Sequence, residues 1–123
     1  MPSIDQLLEE VLSNANRAGG FAHTLLANPD GMILAASGEE DESQLTAAAF
    51  CSLFEEAFSR ASTDLGFSEL DELTLMDGNK WRYVIRLVTD DLFLVARVPP
   101  KKRWRRVTNT LCAQVARIMR DVA

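Results

Sequence analysis

The side chains of this 123-residue chain that could do chemistry are few, and their spacing does not suit it. His23 is the single histidine. It could serve as a base or a metal ligand, but no cysteine or carboxylate stands at ligand spacing from it, so packing within a strand is its expected role. Cys51 and Cys112 fall far apart inside helical patterns and form no metal motif. In a reducing compartment they read as small buried apolar residues. Gly19-Gly20 follows a helical pattern instead of a strand and precedes no helix, so it cannot cradle a phosphate in the usual way. No serine occupies a nucleophile-elbow context. The carboxylates lie in loops and on exposed helix faces, where nothing selects an acid and a base. No catalytic residue, cofactor or metal is expected, and the chain reads as a non-enzyme.

Charge is the other chemical resource. Asp and Glu number 18 against 13 Lys and Arg, a net charge of −5. That balance argues against general nucleic-acid binding, which needs a basic footprint. The distribution is uneven: Glu39-Glu40-Asp41-Glu42 is one acidic block, and Lys101-Lys102-Arg103-Trp104-Arg105-Arg106 is one basic block. The basic block reads as the start of the last helix, where the macrodipole disfavours cations. An acidic partner surface or an anionic lipid would compensate, as would the chain's own acidic loop or plain solvation. Lys101, Lys102, Arg103, Arg105 and Arg106 are therefore candidates for binding a partner. Trp104 could anchor one too, but it falls on the helix's apolar stripe, which favours core packing.

The elements that must position these groups follow from periodicity. Hydrophobic residues make up 47% and charged ones 25%, as in an ordinary soluble globular domain, and the length fits one domain over residues 1–123. No apolar run approaches the roughly 20 residues of a membrane span, and the N-terminus does not look like a signal peptide, so a cytoplasmic location is expected. Ser3 and Gln6 form a capping-box pattern opening a helix over residues 3–18, with Ile4, Leu7, Leu8, Val11, Leu12 and Ala15 on one stripe. Gly19-Gly20 ends it. Two apolar strands, 21–27 and 32–37, flank Asn28-Pro29-Asp30-Gly31; Pro29 suits a type I turn and Gly31 a positive φ, giving a short hairpin loop with a bulge. Ser43 can cap a long helix to about Leu65, with Ala47, Phe50, Cys51, Phe54, Ala57, Phe58, Ala61 and Leu65 as its main stripe.

Three strands are predicted next. The first is Leu70 to Met76, followed by the hairpin signal Asp77-Gly78. The second is Lys80 to Val88, with Trp81, Tyr83, Ile85 and Leu87 on one face and Arg82, Val84 and Arg86 on the other. The third is Leu92 to Val98, apolar on both faces and hence central, with helices above and below. Pro99-Pro100 ends it, and a last helix runs from about Arg103 to Val122.

The order helix, two strands, long helix, three strands, helix resembles the Roadblock/dynein light chain family. The likeness spans roughly Ile4 to Val122 and is closest over Gly20 to Ser37: glycine, apolar strand, Asp-Gly turn, apolar strand ending in small residues. The resemblance implies an α/β fold of the profilin-like, Roadblock kind. Its five-stranded antiparallel sheet would have the order 2-1-5-4-3, with the long helix on one face and both terminal helices on the other. It also implies a homodimer built from the middle helices and third strands, and a non-catalytic platform that binds and regulates a small Ras-like GTPase or a related assembly. It supplies no catalytic motif.

On that implied dimer, Leu45, Ala49 and Leu53 form a second narrow apolar track on the long helix, with Glu56 and Arg60 beside it. Across a two-fold axis Glu56 would approach the second copy's Arg60. Leu73 and Leu75 would join at the third strand, where Asp71 and Glu72 either block the open edge or merely flank a paired segment. The plain alternative is that these are ordinary surface apolars. Two functional rivals stand beside this reading: an acidic, dimeric secretion-type chaperone for an unfolded effector segment, and a small-molecule sensor. Three consecutive strands after the long helix would count against the chaperone. A large apolar cavity with converging polar groups would favour the sensor.

Overall fold

A computed structural model of the chain describes residues 2–38 and 44–122, and only the backbone of residues 44 and 45. The expected cap at Ser43 and the acidic block 39–42 lie outside the described residues. The elements are α1 (Ile4–Gly19), β1 (His23–Ala27), β2 (Ile33–Gly38), α2 (Gln44–Leu65), β3 (Glu72–Met76), β4 (Arg82–Thr89), β5 (Leu92–Val98) and α3 (Arg105–Val122). The five strands form one antiparallel sheet in the order β2-β1-β5-β4-β3.

Local chemistry accounts for most boundaries. Ser3 Oγ accepts from the Gln6 N–H at 3.2 Å, and Gln6 Oε1 accepts from the Ser3 N–H at 2.9 Å, closing the capping box. Gly20 ends α1 in the left-handed conformation, φ 67°. Ile4 is the exception on the α1 stripe: as the first residue of the helix, it stays exposed. In the first hairpin the Gly31 N–H donates to the Asn28 carbonyl at 2.9 Å, and the register shifts at Leu26/Ala27. Gly31 has φ 86°, and a Cβ there would lie 2.5 Å from the Ala48 backbone of α2. The turn therefore needs glycine twice, for its dihedral and for the helix packed on it. The Cys51 thiol fixes the same junction by donating to the Asn28 carbonyl at 3.5 Å.

Two layers sandwich the sheet, as the two-sided pattern of β5 requires. On one face Leu8, Leu12, Leu111 and Val115 of α1 and α3 pack on Leu26, Leu92 and Leu94. Thr24 and Asn16 tie this layer down: the Thr24 hydroxyl donates to Asn16 Oδ1 at 2.9 Å, and Asn16 Nδ2 donates to the Ser37 carbonyl at 3.1 Å. On the other face Ala47, Phe50, Cys51 and Phe54 of α2 pack on Leu25, Ile85, Phe93 and Val95. A third cluster of Phe21, Val84, Ala96 and Val98 is closed by the half-buried Trp104 and Val107.

The two faces are unequally covered. Five strands span about 19 Å, roughly two helix diameters. Two helices fit that width on the α1/α3 face, whereas α2 alone cannot cover the other. Nor does its whole stripe find a sheet beneath it. At 22 residues α2 is about 33 Å long, more than the strands under it. The expected stripe is thus corrected at its far end: Ala47 to Phe54 is buried, but Phe58 is exposed and Leu65 is 71% exposed.

Candidate functional site

Two surfaces collect the residues singled out by sequence. The first follows from the uncovered sheet face. β4 alternates, and pairing Leu73 with Ile85 and Leu75 with Tyr83 puts both β3 leucines on the α2 side. There Leu53, Glu56, Ala57 and Arg60 of α2 meet Leu73 and Leu75 along a groove of about 310 Å³. Leu53 is 42% exposed and Leu75 38%. Five of the seven interface candidates are thus brought together in one chain. Ala49 is exposed one turn earlier on α2, and the Leu45 side chain lies outside the described residues. Glu56 and Arg60 sit 4.0 Å apart along the helix, both largely exposed. In the single chain, therefore, this ion pair closes within one helix. Sequence reasoning missed Phe67 and Met76, which are also exposed; a loop position and a strand end carry no periodic signal.

Glu72 does not guard the sheet edge. It lies on the α1/α3 face opposite Arg86. Its carboxylate is 4.0 Å from Arg86 Nε and 3.4 Å from Arg105 Nη1, and it accepts from the Thr74 hydroxyl at 3.1 Å. Arg86 also donates to Asn109 of α3.

The second surface is the basic run. The helix begins at Arg105 instead of Arg103, so Lys101, Lys102 and Arg103 lie ahead of it and only Arg105 and Arg106 stand in its first turn. The reason is the preceding turn, in which Lys101 takes φ 68° and the Lys102 N–H reaches the Pro99 carbonyl at 3.4 Å. Arg105 is offset by Glu72, a residue on another element. Trp104 is half-buried on the core, with the Arg82 guanidinium 4.9 Å from its ring and that of Arg105 5.5 Å away. Sequence reasoning missed the roles of Arg82 and Glu72. Strand alternation put Arg82 and Arg86 on one face, but only the sheet register aligns Glu72 with them.

The reactive side chains are set differently. His23 is buried in β1. Burial, and secondarily Glu55, pushes the Cys51 thiol up to about 11, which makes it a poor nucleophile at neutral pH. The Cys112 thiol, half-buried in α3, is raised mainly by burial. Among the described residues no three of His, Cys, Asp and Glu group to hold a metal ion, and no helix is long and apolar enough to cross a membrane.

The family model described as the Roadblock/LC7 domain matches residues 7–97. The chain belongs to this family. The gliding protein MglB from Thermus thermophilus superposes on this Roadblock/LC7 chain with a TM-score of 0.85, at 16% identity, covering 98% of this chain and 94% of that one. A structure of MglB in a tetrameric arrangement gives 0.85 at 17% identity, covering 100% and 95%. Profilin IA of Acanthamoeba castellanii gives 0.61 at 15% identity, covering 93% and 97%. At these identities the likeness is one of fold, the profilin-like Roadblock fold expected from the element order. A search of the curated proteins gives no match.

Proposed function

We propose that this Roadblock/LC7 protein is a non-catalytic homodimeric platform that binds and regulates a small Ras-like GTPase or a related assembly. It would do so as one Roadblock-type domain spanning the chain. One observation carries the reading. A member of this family leaves an apolar strip uncovered where α2 meets the edge strand β3, and Leu53, Leu73 and Leu75 line it. Such a strip fits a second copy about a two-fold axis, because a two-fold contact needs a self-complementary patch and Leu53 would meet its own copy. The tetrameric arrangement of MglB, which shares this fold, supports self-association.

The mechanism is differential binding. The platform favours one nucleotide state of the GTPase and thereby shifts its exchange or hydrolysis, holding no nucleotide of its own. Motility or polarity signalling in the cytoplasm is the setting that the similarity to a gliding protein supports. The three consecutive strands β3, β4 and β5 after the long helix count against the chaperone alternative.

The test is capture from the native cell extract on immobilised protein, with and without a non-hydrolysable GTP analogue. The expected result is a Ras-like GTPase retained in one nucleotide state and lost in the other. Retention of an unfolded effector segment, indifferent to nucleotide, would refute the reading in favour of the chaperone.

A further inference from the structure

The terminal-helix face carries a feature that the platform reading does not use. The C-terminus of α1 and the N-terminus of α3 meet at a cleft of about 730 Å³, lined by Ala18, Arg82, Trp104, Val107 and the five cations of the basic run. Six of the chain's 13 Lys and Arg residues therefore face one cavity in a protein of net charge −5, and among the described residues no Asp or Glu lines it. The first turn of α3 adds its positive dipole end and contains no acid. Of these six cations Glu72 pairs with Arg105, its other partner being Arg86 outside the cleft lining.

Two further details bear on the cleft. Arg82 Nη1 and Trp104 Nε1, on two residues that line it, are buried without a hydrogen-bond partner among the described residues, so an anion would reach them only by pressing past the cleft's surface. Buried N–H donors are normally satisfied, and leaving one unpaired is unfavourable by about 1–3 kcal/mol. The basic loop is also positioned. Lys102 lies across the cap of α1, so that a Cβ on Gly20 would be 3.0 Å from its Cε.

We infer that this cleft is a binding site for a compact polyanion bearing several phosphate groups. Four of its six cations are arginines, whose planar fork matches phosphate oxygens two at a time. Its volume falls in the roughly 300–1,000 Å³ range of small-molecule sites and exceeds what one inorganic phosphate fills. A duplex nucleic acid would need a longer basic track than one cleft on an acidic protein. The same phosphate chemistry is offered by a soluble multiply phosphorylated metabolite and by a lipid headgroup bearing several phosphates. The site is independent of the proposed dimer, since it opens on the sheet face opposite the Leu53 groove.

Trp104 makes the test direct. In Trp81→Phe protein it is the only tryptophan, and its emission is titrated with tripolyphosphate at constant ionic strength. Calorimetry on the unaltered chain supplies the same affinity without the substitution. Saturable binding is expected, weakened at least tenfold by the double change Arg103→Gln/Arg106→Gln and unchanged by Arg117→Gln at the far end of α3. Parallel sedimentation with vesicles containing phosphatidylinositol bisphosphate, against phosphatidylglycerol vesicles of matched surface charge, separates the sources. Tripolyphosphate binding alone assigns a soluble ligand. Selective retention on the bisphosphate vesicles, displaced by tripolyphosphate and lost in the double change, assigns a headgroup. The inference is overturned by no saturable binding to either probe, by affinity indifferent to the double change, or by a polyglutamate peptide competing equally at matched charge, which would make the cleft an acidic-peptide surface.

Discussion

Replacing Leu53 by glutamate puts the proposed interface under its most direct strain. Full burial of a leucine contributes about 1.5–3 kcal/mol. Leu53 is still 42% exposed in the single chain, so covering the remainder contributes about 0.6–1.3 kcal/mol per protomer. A two-fold contact counts this twice, giving about 1–2.5 kcal/mol for the leucine alone. Glutamate removes that term and adds a carboxylate that must be dehydrated against Leu73 and Leu75, close to its symmetry copy, a penalty of several kcal/mol. Together these exceed about 4 kcal/mol, or roughly a thousandfold in the dimer dissociation constant. Leu53→Ala, which loses only the packing, should weaken the dimer about tenfold. Sedimentation velocity over a concentration series reads both effects. Circular dichroism should show the fold intact, because Leu53 is outside the core. An unaltered dimer in Leu53→Glu, or a wild-type chain that sediments as a monomer throughout, would refute the placement of the interface on this strip.

Other consequences concern stability. Lys80 has φ 71° at the end of the β3–β4 turn, where its N–H donates to the Asp77 carbonyl at 3.0 Å. Left-handed backbone disfavours a side chain by about 1–2 kcal/mol, partly cancelled by the greater freedom of unfolded glycine. Lys80→Gly should thus stabilise by about 0.5–1 kcal/mol in urea unfolding. Glu72→Gln leaves Arg86 and Arg105 without their shared carboxylate and should destabilise by about 1–3 kcal/mol by the same measurement, with Arg105→Gln affecting stability less because that side chain is mostly exposed. The Cys51 thiol moves up from 9.0 to about 11 on folding. Its stabilisation is therefore complete below about pH 9 and is lost as pH rises toward 11, because the unfolded chain gives up the proton first. The difference between wild type and Cys51→Ala in unfolding free energy should shrink across that window and stay constant below it.

Much of the fold was legible because local and global signals agree. The Ser3/Gln6 box, the Asn28–Gly31 turn and the two-sided apolar run of β5 each specify one local geometry, while the strand order 2-1-5-4-3 was implied by the family resemblance that the element order carries. What escaped reading depended on lengths and registers. Periodicity gives the direction in which Phe58 and Leu65 point around α2, but not how far the sheet extends beneath them. The Asp77-Gly78 signal marks a hairpin, yet the left-handed residue is Lys80, the last of the four residues that the Lys80 N–H to Asp77 carbonyl bond closes. The candidate interface was half legible: the track on α2 is a pattern within one helix, and its junction with Leu73 and Leu75 rests on the resemblance. The phosphate cleft was legible only as a charge run. Arg82, from a strand well before that run in the chain, is what turns it into a cavity.

These two surfaces have one structural cause. A sheet about two helix diameters wide is sealed by α1 and α3 on one side and left partly bare by α2 on the other. The bare side is apolar because β4 and β3 must alternate, so it can only be resolved by another apolar surface, and a symmetric copy is the simplest supplier. The sealed side brings two helix ends together at one corner of the sheet, and the chain has loaded that corner with cations that repel one another. Self-repulsion of that kind weakens the fold unless something of opposite charge relieves it. Glu72 relieves Arg105, leaving Arg82, Arg103 and Arg106 around the same gap. An acidic protein that concentrates its few cations so closely does so for an anion that is not part of the described chain.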